Sequence, residues 1–151
     1  MEVVKFIPIH NWDNIVASTI KGKLNDVGGE VEVKNGNTKF TVRYAQDESG
    51  LDFISAKGEE THFVWDVFFA AVDILKQSED GKALKGDADK GTLGTKALPV
   101  DSVEGYIAAN VFGMKKRQKV EKNITKIGTF LKWADIVTVG KDYLQLNEQF
   151  K

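Results

Sequence analysis

The chain has 151 residues, enough for one ordinary domain or two small ones, and its 42% hydrophobic content permits a packed core. It contains no cysteine and only two histidines, which excludes disulfides, thiolate metal sites and cysteine nucleophiles and disfavours a histidine-rich metal site. The longest apolar stretch, residues 63–75, contains Asp66 and Asp73 and is shorter than the ~20 apolar residues that span a bilayer. The first residues lack the basic and apolar regions of a signal peptide. We therefore expect a cytoplasmic protein with no membrane association, metal ion or cofactor.

Charge is distributed unevenly along the chain, whose formal net charge is −1. Residues 1–98 carry 12 Lys or Arg and 16 Asp or Glu, whereas residues 99–151 carry 9 and 6. A basic segment on an acidic chain is typical of an anion-binding part, but chance scatter of surface charge gives a similar count. Charge alone therefore does not identify a partner.

Residues 11–26 have the pattern of an amphipathic helix. Asn11 and Asp13 are suitable N-terminal caps, and Gly28-Gly29 tolerates the left-handed conformation that ends helices. The apolar face recurs at helical spacing and comprises Trp12, Ile15, Val16, Thr19, Ile20 and Leu24.

A β-hairpin is predicted over residues 31–44. Asn35-Gly36 suits a two-residue type I′ turn, because both central residues of that turn need positive φ. In this register Glu32 lies opposite Lys39, which is a favourable cross-strand pair.

The middle of the chain predicts a strand, a helix and a linker. Residues 51–56 favour a third strand, and residues 61–77 favour a helix that is apolar on nearly all sides, as buried central helices are. The residues that follow contain four glycines and many charges, so we interpret residues 80–98 as a flexible loop or linker. About twenty unpatterned residues are unusual inside a domain. We therefore expect an α+β body of residues 1–79 and a second unit of residues 99–151.

The C-terminal third predicts two helices and a hairpin. Asp101 or Ser102 caps the first helix, which ends at Gly113. Residues 136–146 favour a hairpin with a turn at residues 140–142. Between them, a second helix with a basic start is indicated by one apolar stripe, formed by Val120, Ile124, Ile127 and Leu131.

This order of elements resembles a winged helix-turn-helix over residues 101–147. Small residues occur in the first helix and a glycine at the turn, and apolar residues lead into the wing; the positions are Ala108, Ala109, Gly113, Leu131, Ala134, Ile136 and Val137. The resemblance implies a second helix that enters the DNA major groove. Two features depart from the pattern: Gly128 lies inside the second helix, and the only nearby candidate for the additional first helix is residues 61–77.

The resemblance places basic residues at the start of the second helix and one lysine on the wing. Lysine contacts phosphates, whereas arginine and glutamine can form bidentate contacts to guanine and adenine. The candidate nucleic-acid-binding residues are Lys115, Lys116, Arg117, Gln118, Lys119, Lys122, Lys126 and Lys141. We expect an α+β protein whose C-terminal winged-helix-like unit binds duplex DNA in transcription regulation, with the acidic body used for dimerisation, effector sensing or partner contact.

Two alternatives stay open. The same winged-helix-like unit can bind protein, as in a non-enzymatic scaffold or interaction protein. The third possibility is a metal-dependent nuclease, since Glu32 and Lys34 have the spacing of part of such a site, with Asp13 or Asp26 upstream. A surface hairpin explains that pattern more simply. Ser102 and the two histidines form no recognisable triad, so we predict no catalytic residue.

Overall fold

The structure is a computed structural model that describes residues 13–151, with side chains from residue 15 onward. Within that range the chain forms two antiparallel sheets with four helices packed around them, an α+β fold as predicted. The elements in chain order are α1 (Asp13–Asp26), β1 (Glu30–Asn35), β2 (Thr38–Tyr44), β3 (Gly50–Ser55), β4 (Glu60–Val64), α2 (Trp65–Lys76), β5 (Lys82–Leu84), α3 (Val103–Asn110), α4 (Ile124–Trp133), β6 (Val137–Val139), β7 (Tyr143–Leu146) and a final 3-10 turn (Glu148–Phe150).

Helix α1 ends where the sequence predicts. Gly28 and Gly29 have φ values of 84° and 85°, and the Gly29 amide donates to the carbonyl of Leu24 at 2.7 Å. This left-handed ending is one that glycine adopts without steric cost. The N-terminal residues 1–12, including the predicted cap Asn11 and apolar Trp12, lie outside the described part.

The hairpin β1–β2 forms as predicted, but its turn is different. Asn35 pairs with Thr38, so Gly36 and Asn37 are the two central residues. Only Gly36 has a positive φ, of 59°. A positive φ at the first central position alone is characteristic of a type II′ turn, not of the predicted type I′ turn.

The predicted cross-strand register is therefore wrong by two residues. Glu32 lies opposite Thr41 instead of Lys39. The observed register sets Val33 opposite Phe40, and both side chains are buried. Pairing two core residues outweighs one exposed ion pair, which is worth ~1 kcal/mol or less.

The predicted helix over residues 61–77 is a strand followed by a helix. Residues 60–64 form β4, where the buried Phe63 lies between the exposed His62 and Val64. This alternation is the period of a strand, and the dense apolar sequence around Trp65 obscures it. Helix α2 begins at Trp65 and is buried on most sides, as predicted for a central helix.

Helices α3 and α4, the second sheet and the final 3-10 turn make up the C-terminal half. The sheet has the order β5-β7-β6, so the predicted hairpin β6–β7 is joined by a strand from the segment that the sequence predicts as a loop. Helix α2, which belongs to the predicted helix over residues 61–77, packs against α3.

The prediction of a basic second helix is wrong for the first half of that helix. Helix α3 ends at Asn110, residues 111–123 are not helical, and α4 begins only at Ile124. Gly113 has a φ of 66° just beyond α3, near the predicted end of that helix. The basic run from Lys115 to Lys119 therefore lies on a connection between helices.

Pairing with a distant segment explains this connection. Arg117 has a φ of 74°, which interrupts a helix. Its amide donates to the carbonyl of Leu93 at 2.8 Å, and the Leu93 amide donates to the carbonyl of Gln118 at 3.0 Å. These two hydrogen bonds satisfy the amide of Arg117 and the carbonyl of Gln118, which in a helix would be satisfied by neighbouring turns.

Aromatic packing joins residues on both sides of the predicted domain boundary. The ring of Phe53 in β3 lies 4.9 Å from that of Phe63 and 5.4 Å from that of Phe130 in α4. Phe68 of α2 also contacts Phe130, with ring centroids 5.6 Å apart. A smaller cluster lies under residues 86–98 and includes the buried side chains of Ala88, Leu93, Leu98, Ala108 and Val120.

We expect residues 86–98 to resist a nonspecific protease, contrary to the behaviour of a flexible linker. Leu93 and Leu98 are buried, and both the amide and the carbonyl of Leu93 are hydrogen-bonded. Cleavage in this segment therefore requires local unfolding. Limited proteolysis followed by mass spectrometry measures the order of cleavage. First cleavage inside residues 86–98 in the folded protein would contradict this expectation.

Candidate nucleic-acid interface

Two adjoining cavities, of about 370 and 300 Å³, run along the exposed side of α4. They share Lys85, Ile124 and Thr125, so together they form one groove, here called the α4 groove. The β6–β7 turn, residues 140–142, forms part of its wall and is here called the wing. The charged residues that line the groove are Lys85, Lys96, Lys122, Lys132, Lys141, Asp87 and Asp142.

Lys122 is the most neutralised of these lysines. Its ammonium lies 3.3 Å from Asp89 and 3.6 Å from Asp87, and the hydrogen bond that it donates to Asp89 is the main cause that raises the pKa of Lys122. By contrast, no carboxylate in residues 15–151 lies within ion-pair distance of the other groove lysines, which are Lys85, Lys96, Lys132 and Lys141. Four of the five groove lysines are therefore not neutralised by a carboxylate of residues 15–151 and can attract an anionic ligand.

Lys85 connects β5 to the wing. Its amide donates to the carbonyl of Asp142 at 2.8 Å, and its ammonium donates to the carbonyl of Lys141 at 3.2 Å. These contacts hold the wing beside the start of α4. Lys85 thereby contributes charge to the groove and also fixes one of its walls.

A buried carboxylate closes the N-terminus of α4. Glu104 belongs to α3 and is 2% exposed, and its Oε1 accepts from the amides of Asn123 at 2.7 Å and Ile124 at 3.2 Å. Burial raises the pKa of Glu104 to about 7, although both hydrogen bonds and the charge of Lys122 act to lower it and Asp89 raises it. The first amides of α4 are thus occupied, and the lysines supply the attraction for an anion.

The connection before α4 carries an exposed basic turn over residues 115–119. The amide of Lys115 donates to Oε1 of Gln118 at 2.7 Å, which closes the turn and uses one of the two atoms that a bidentate adenine contact needs. The side chain of Lys116 packs against Gly94. Since Lys96 is two residues further along and lines the groove, residues 94–96 connect the basic turn to the groove.

Comparisons with protein-family models, with curated proteins and with solved structures find no match to this chain. The candidate site therefore depends on the arrangement of its own residues.

The structure separates the predicted binding residues into three places. Lys122 and Lys141 line the α4 groove. Residues 115–119 form the exposed turn, and Lys126 is half-buried on α4 and is not among the residues that line the groove.

Three lysines of the groove, Lys85, Lys96 and Lys132, are not among the residues predicted from the sequence. Lys132 lies in the last turn of α4, beyond the basic start of the predicted helix. Lys85 and Lys96 lie in the segment interpreted as a linker, where the three-residue strand β5 is too short to show a clear alternation. The alternating burial of the segment Lys82–Lys85 is visible only once β7 is beside it.

The parts required by the nuclease alternative do not converge in the described residues. Glu32 lines a shallow cavity with Lys39 and Thr41, and neither Lys34 nor an aspartate lines it. Across the described residues no group of three His, Asp or Glu side chains is placed to hold a metal ion. The side chain of Asp13 lies outside the described set.

No helix within residues 13–151 combines the length and the apolar character that crossing a membrane requires.

Proposed function

We propose that this protein binds the phosphate backbone of duplex nucleic acid in the α4 groove. The observation that carries the proposal is the excess of positive charge in the groove, which is lined by five lysines and two aspartates. Lysines that neutralise phosphates release condensed counterions, and this release drives binding.

The recessed position of α4 favours phosphate contacts over base reading. Thr125 and Lys132 are the exposed residues of the helix, whereas Lys126, Thr129 and Trp133 are half-buried. A helix in this position offers few side chains to base edges, and lysine is a point charge that carries little base information. We therefore expect binding with little sequence preference.

Arg117 is the residue best suited to an additional base contact. It is exposed on the basic turn, and its planar guanidinium can contact both acceptors of a guanine. No carboxylate in residues 15–151 lies within ion-pair distance of Arg117.

The double variant Lys96→Ala/Lys141→Ala is expected to weaken binding to every duplex alike. If each lysine neutralises about one phosphate, the slope of log affinity against log salt falls by ~2. The measurement is fluorescence anisotropy with a short labelled duplex over a series of salt concentrations. The matched control is Lys39→Ala/Lys57→Ala, which removes the same charge from exposed positions outside the groove.

Two outcomes would overturn the proposal. One is the absence of binding to duplex DNA and RNA at low salt, which would favour the protein-interaction alternative. The other is an equal loss in the groove variant and the control variant, which would assign the binding to net charge.

A further inference from the structure

A serine, a histidine and two aspartates form a connected network on the N-terminal sheet, away from the α4 groove. The Nε2 atom of His62 lies 3.0 Å from Oγ of Ser49, and its Nδ1 atom lies 2.8 Å from Oδ1 of Asp52. The hydroxyl of Ser49 also lies 2.7 Å from Oδ1 of Asp47. The order serine, imidazole and carboxylate, each within hydrogen-bond reach of the next, is the arrangement that activates a serine nucleophile.

Rigid elements hold the imidazole and its carboxylate partner. Asp52 on β3 and His62 on β4 are directly opposed across the two strands. The Asp52 side chain is 15% exposed and that of His62 is 41% exposed, so the carboxylate is shielded while the outer ring nitrogen remains accessible.

The serine is held by the backbone of the β2–β3 turn. The carbonyl of Ser49 accepts from the amide of Trp65 at 3.2 Å, and Glu48 has a φ of 62°, in the left-handed region. Gly50 follows, and a side chain there would collide with the carbonyl of Phe63. The turn therefore approaches β4 closely enough for Ser49 to reach the imidazole.

We propose that Ser49, His62 and Asp52 form a nucleophilic site that reacts with small ester or acyl donors. Ser49 and His62 are its catalytic residues, and Asp52 is a positioning residue that keeps the Nδ1 proton of the imidazole. This triad is not visible in the sequence, where Ser102 is the serine weighed as a partner of the histidines. Ser49 becomes a partner of His62 only through the pairing of β3 with β4.

The chemical step is an acyl transfer to serine. Oγ of Ser49 forms a bond to the carbonyl carbon, and its proton passes to Nε2 of His62. The bond from that carbon to the leaving oxygen then breaks, and His62 returns the proton to the departing alcohol. Water attacks the acyl-serine in the same way, with His62 as base, and releases the acid.

Asp47 sets both the speed and the substrate preference of the site. Hydrogen bonds from the Ser49 hydroxyl and amide lower the pKa of Asp47, so its carboxylate is charged at neutral pH. That carboxylate competes with His62 for the hydroxyl proton and repels the oxyanion that forms. The depression beside it has a volume of about 490 Å³ and is lined by Ala45, Gln46, Asp47, Asp52 and His62. Neutral and cationic acyl donors are therefore favoured over anionic ones.

The test uses the full chain with two neutral probes, p-nitrophenyl acetate and a fluorophosphonate that labels activated serines. We expect the label on Ser49, located by peptide mass spectrometry, and none in Ser49→Ala. His62→Gln lowers the rate of labelling by a hundredfold or more, which is about the contribution of a general base. Asp47→Asn increases the rate, because the amide no longer competes for the hydroxyl proton as a charged acceptor.

The positioning role of Asp52 is tested with a measurement that a loss of packing at Asp52 would not affect. Nitrogen chemical shifts of the His62 ring report the tautomer, and Asp52→Asn is expected to move the proton away from Nδ1 and to lower the labelling rate. The proposal is overturned if the wild-type label does not exceed that of the unfolded chain. It is equally overturned if Ser49→Ala and His62→Gln both label and hydrolyse as the wild type does.

Discussion

Phe130→Ala is expected to lower the free energy of unfolding by about 3–5 kcal/mol, the usual cost of removing a buried phenylalanine ring. The ring is fully buried, and its centroid lies 5.4 Å from the ring centroid of Phe53 and 5.6 Å from those of Phe68 and Trp133. Aromatic pairs in these geometries add ~0.5–1.5 kcal/mol each beyond the burial of area. A cavity at this position removes contacts with β3, α2 and α4 at once.

Because those contacts cross the predicted domain boundary, the variant also tests whether the chain unfolds as one unit. Urea unfolding with hydrogen exchange at β3 and β7 amides should show one transition that shifts at both strands. The matched control is Phe112→Ala, since Phe112 is 47% exposed and its loss should change stability by ~0.5 kcal/mol or less. A shift confined to the C-terminal strand would show that residues 1–79 and 99–151 fold independently.

The elements that the sequence predicts correctly carry local signals. Gly28 and Gly29 mark the end of α1, and the strong β-formers around the turn at residues 140–142 mark the hairpin β6–β7. The fold class follows from these elements, since two hairpins and several helices already indicate an α+β chain.

The elements that the sequence misses depend on distant partners. Strand β4 is hidden in an apolar run and becomes a strand because β3 lies beside it, and β5 depends in the same way on β7. The turn at Arg117 is held by Leu93, which is 24 positions earlier in the chain. Single-sequence patterns contain no information on such pairings, and tertiary contacts override local propensity there.

The candidate site was predictable only in part for the same reason. Lys122 lies in the first turns of the predicted second helix and Lys141 in the turn of the predicted hairpin, so the resemblance to a winged helix includes both as candidate residues. Lys85 and Lys96 reach the groove because β5 and residues 86–98 pack on the C-terminal half. The sequence shows the charge of residues 115–119 but predicts a helix where the structure has a turn.

The titration of Glu104, the buried carboxylate at the N-terminus of α4, is expected to make the stability of the protein depend on pH. Burial raises the pKa of Glu104 from 4.5 to about 7, so the folded state binds the proton more tightly than the unfolded chain does. This contribution to stability is complete below pH 4.5 and is lost as the pH rises through 7. At ~1.4 kcal/mol for each pH unit, the loss is on the order of 3 kcal/mol.

Glu104→Gln is expected to abolish most of this decline. The amide oxygen of glutamine can still accept from the amides of Asn123 and Ile124, while the side chain never becomes charged. The variant should therefore match the wild type in acid and exceed its stability above neutral pH. Urea midpoints over the acid-to-neutral range give the difference directly, because groups that both proteins share cancel.

Glu121→Gln is the matched control, since Glu121 is exposed near α4 and should leave the wild-type pH profile unchanged. Lys122, Asp87 and Asp89 also face this end of α4, so Asp89→Asn should shift the transition to lower pH by removing a nearby negative charge. Parallel profiles for the wild type and Glu104→Gln would show that the carboxylate stays charged in the folded state. In that case the two amide bonds and Lys122 outweigh the cost of burying the charge.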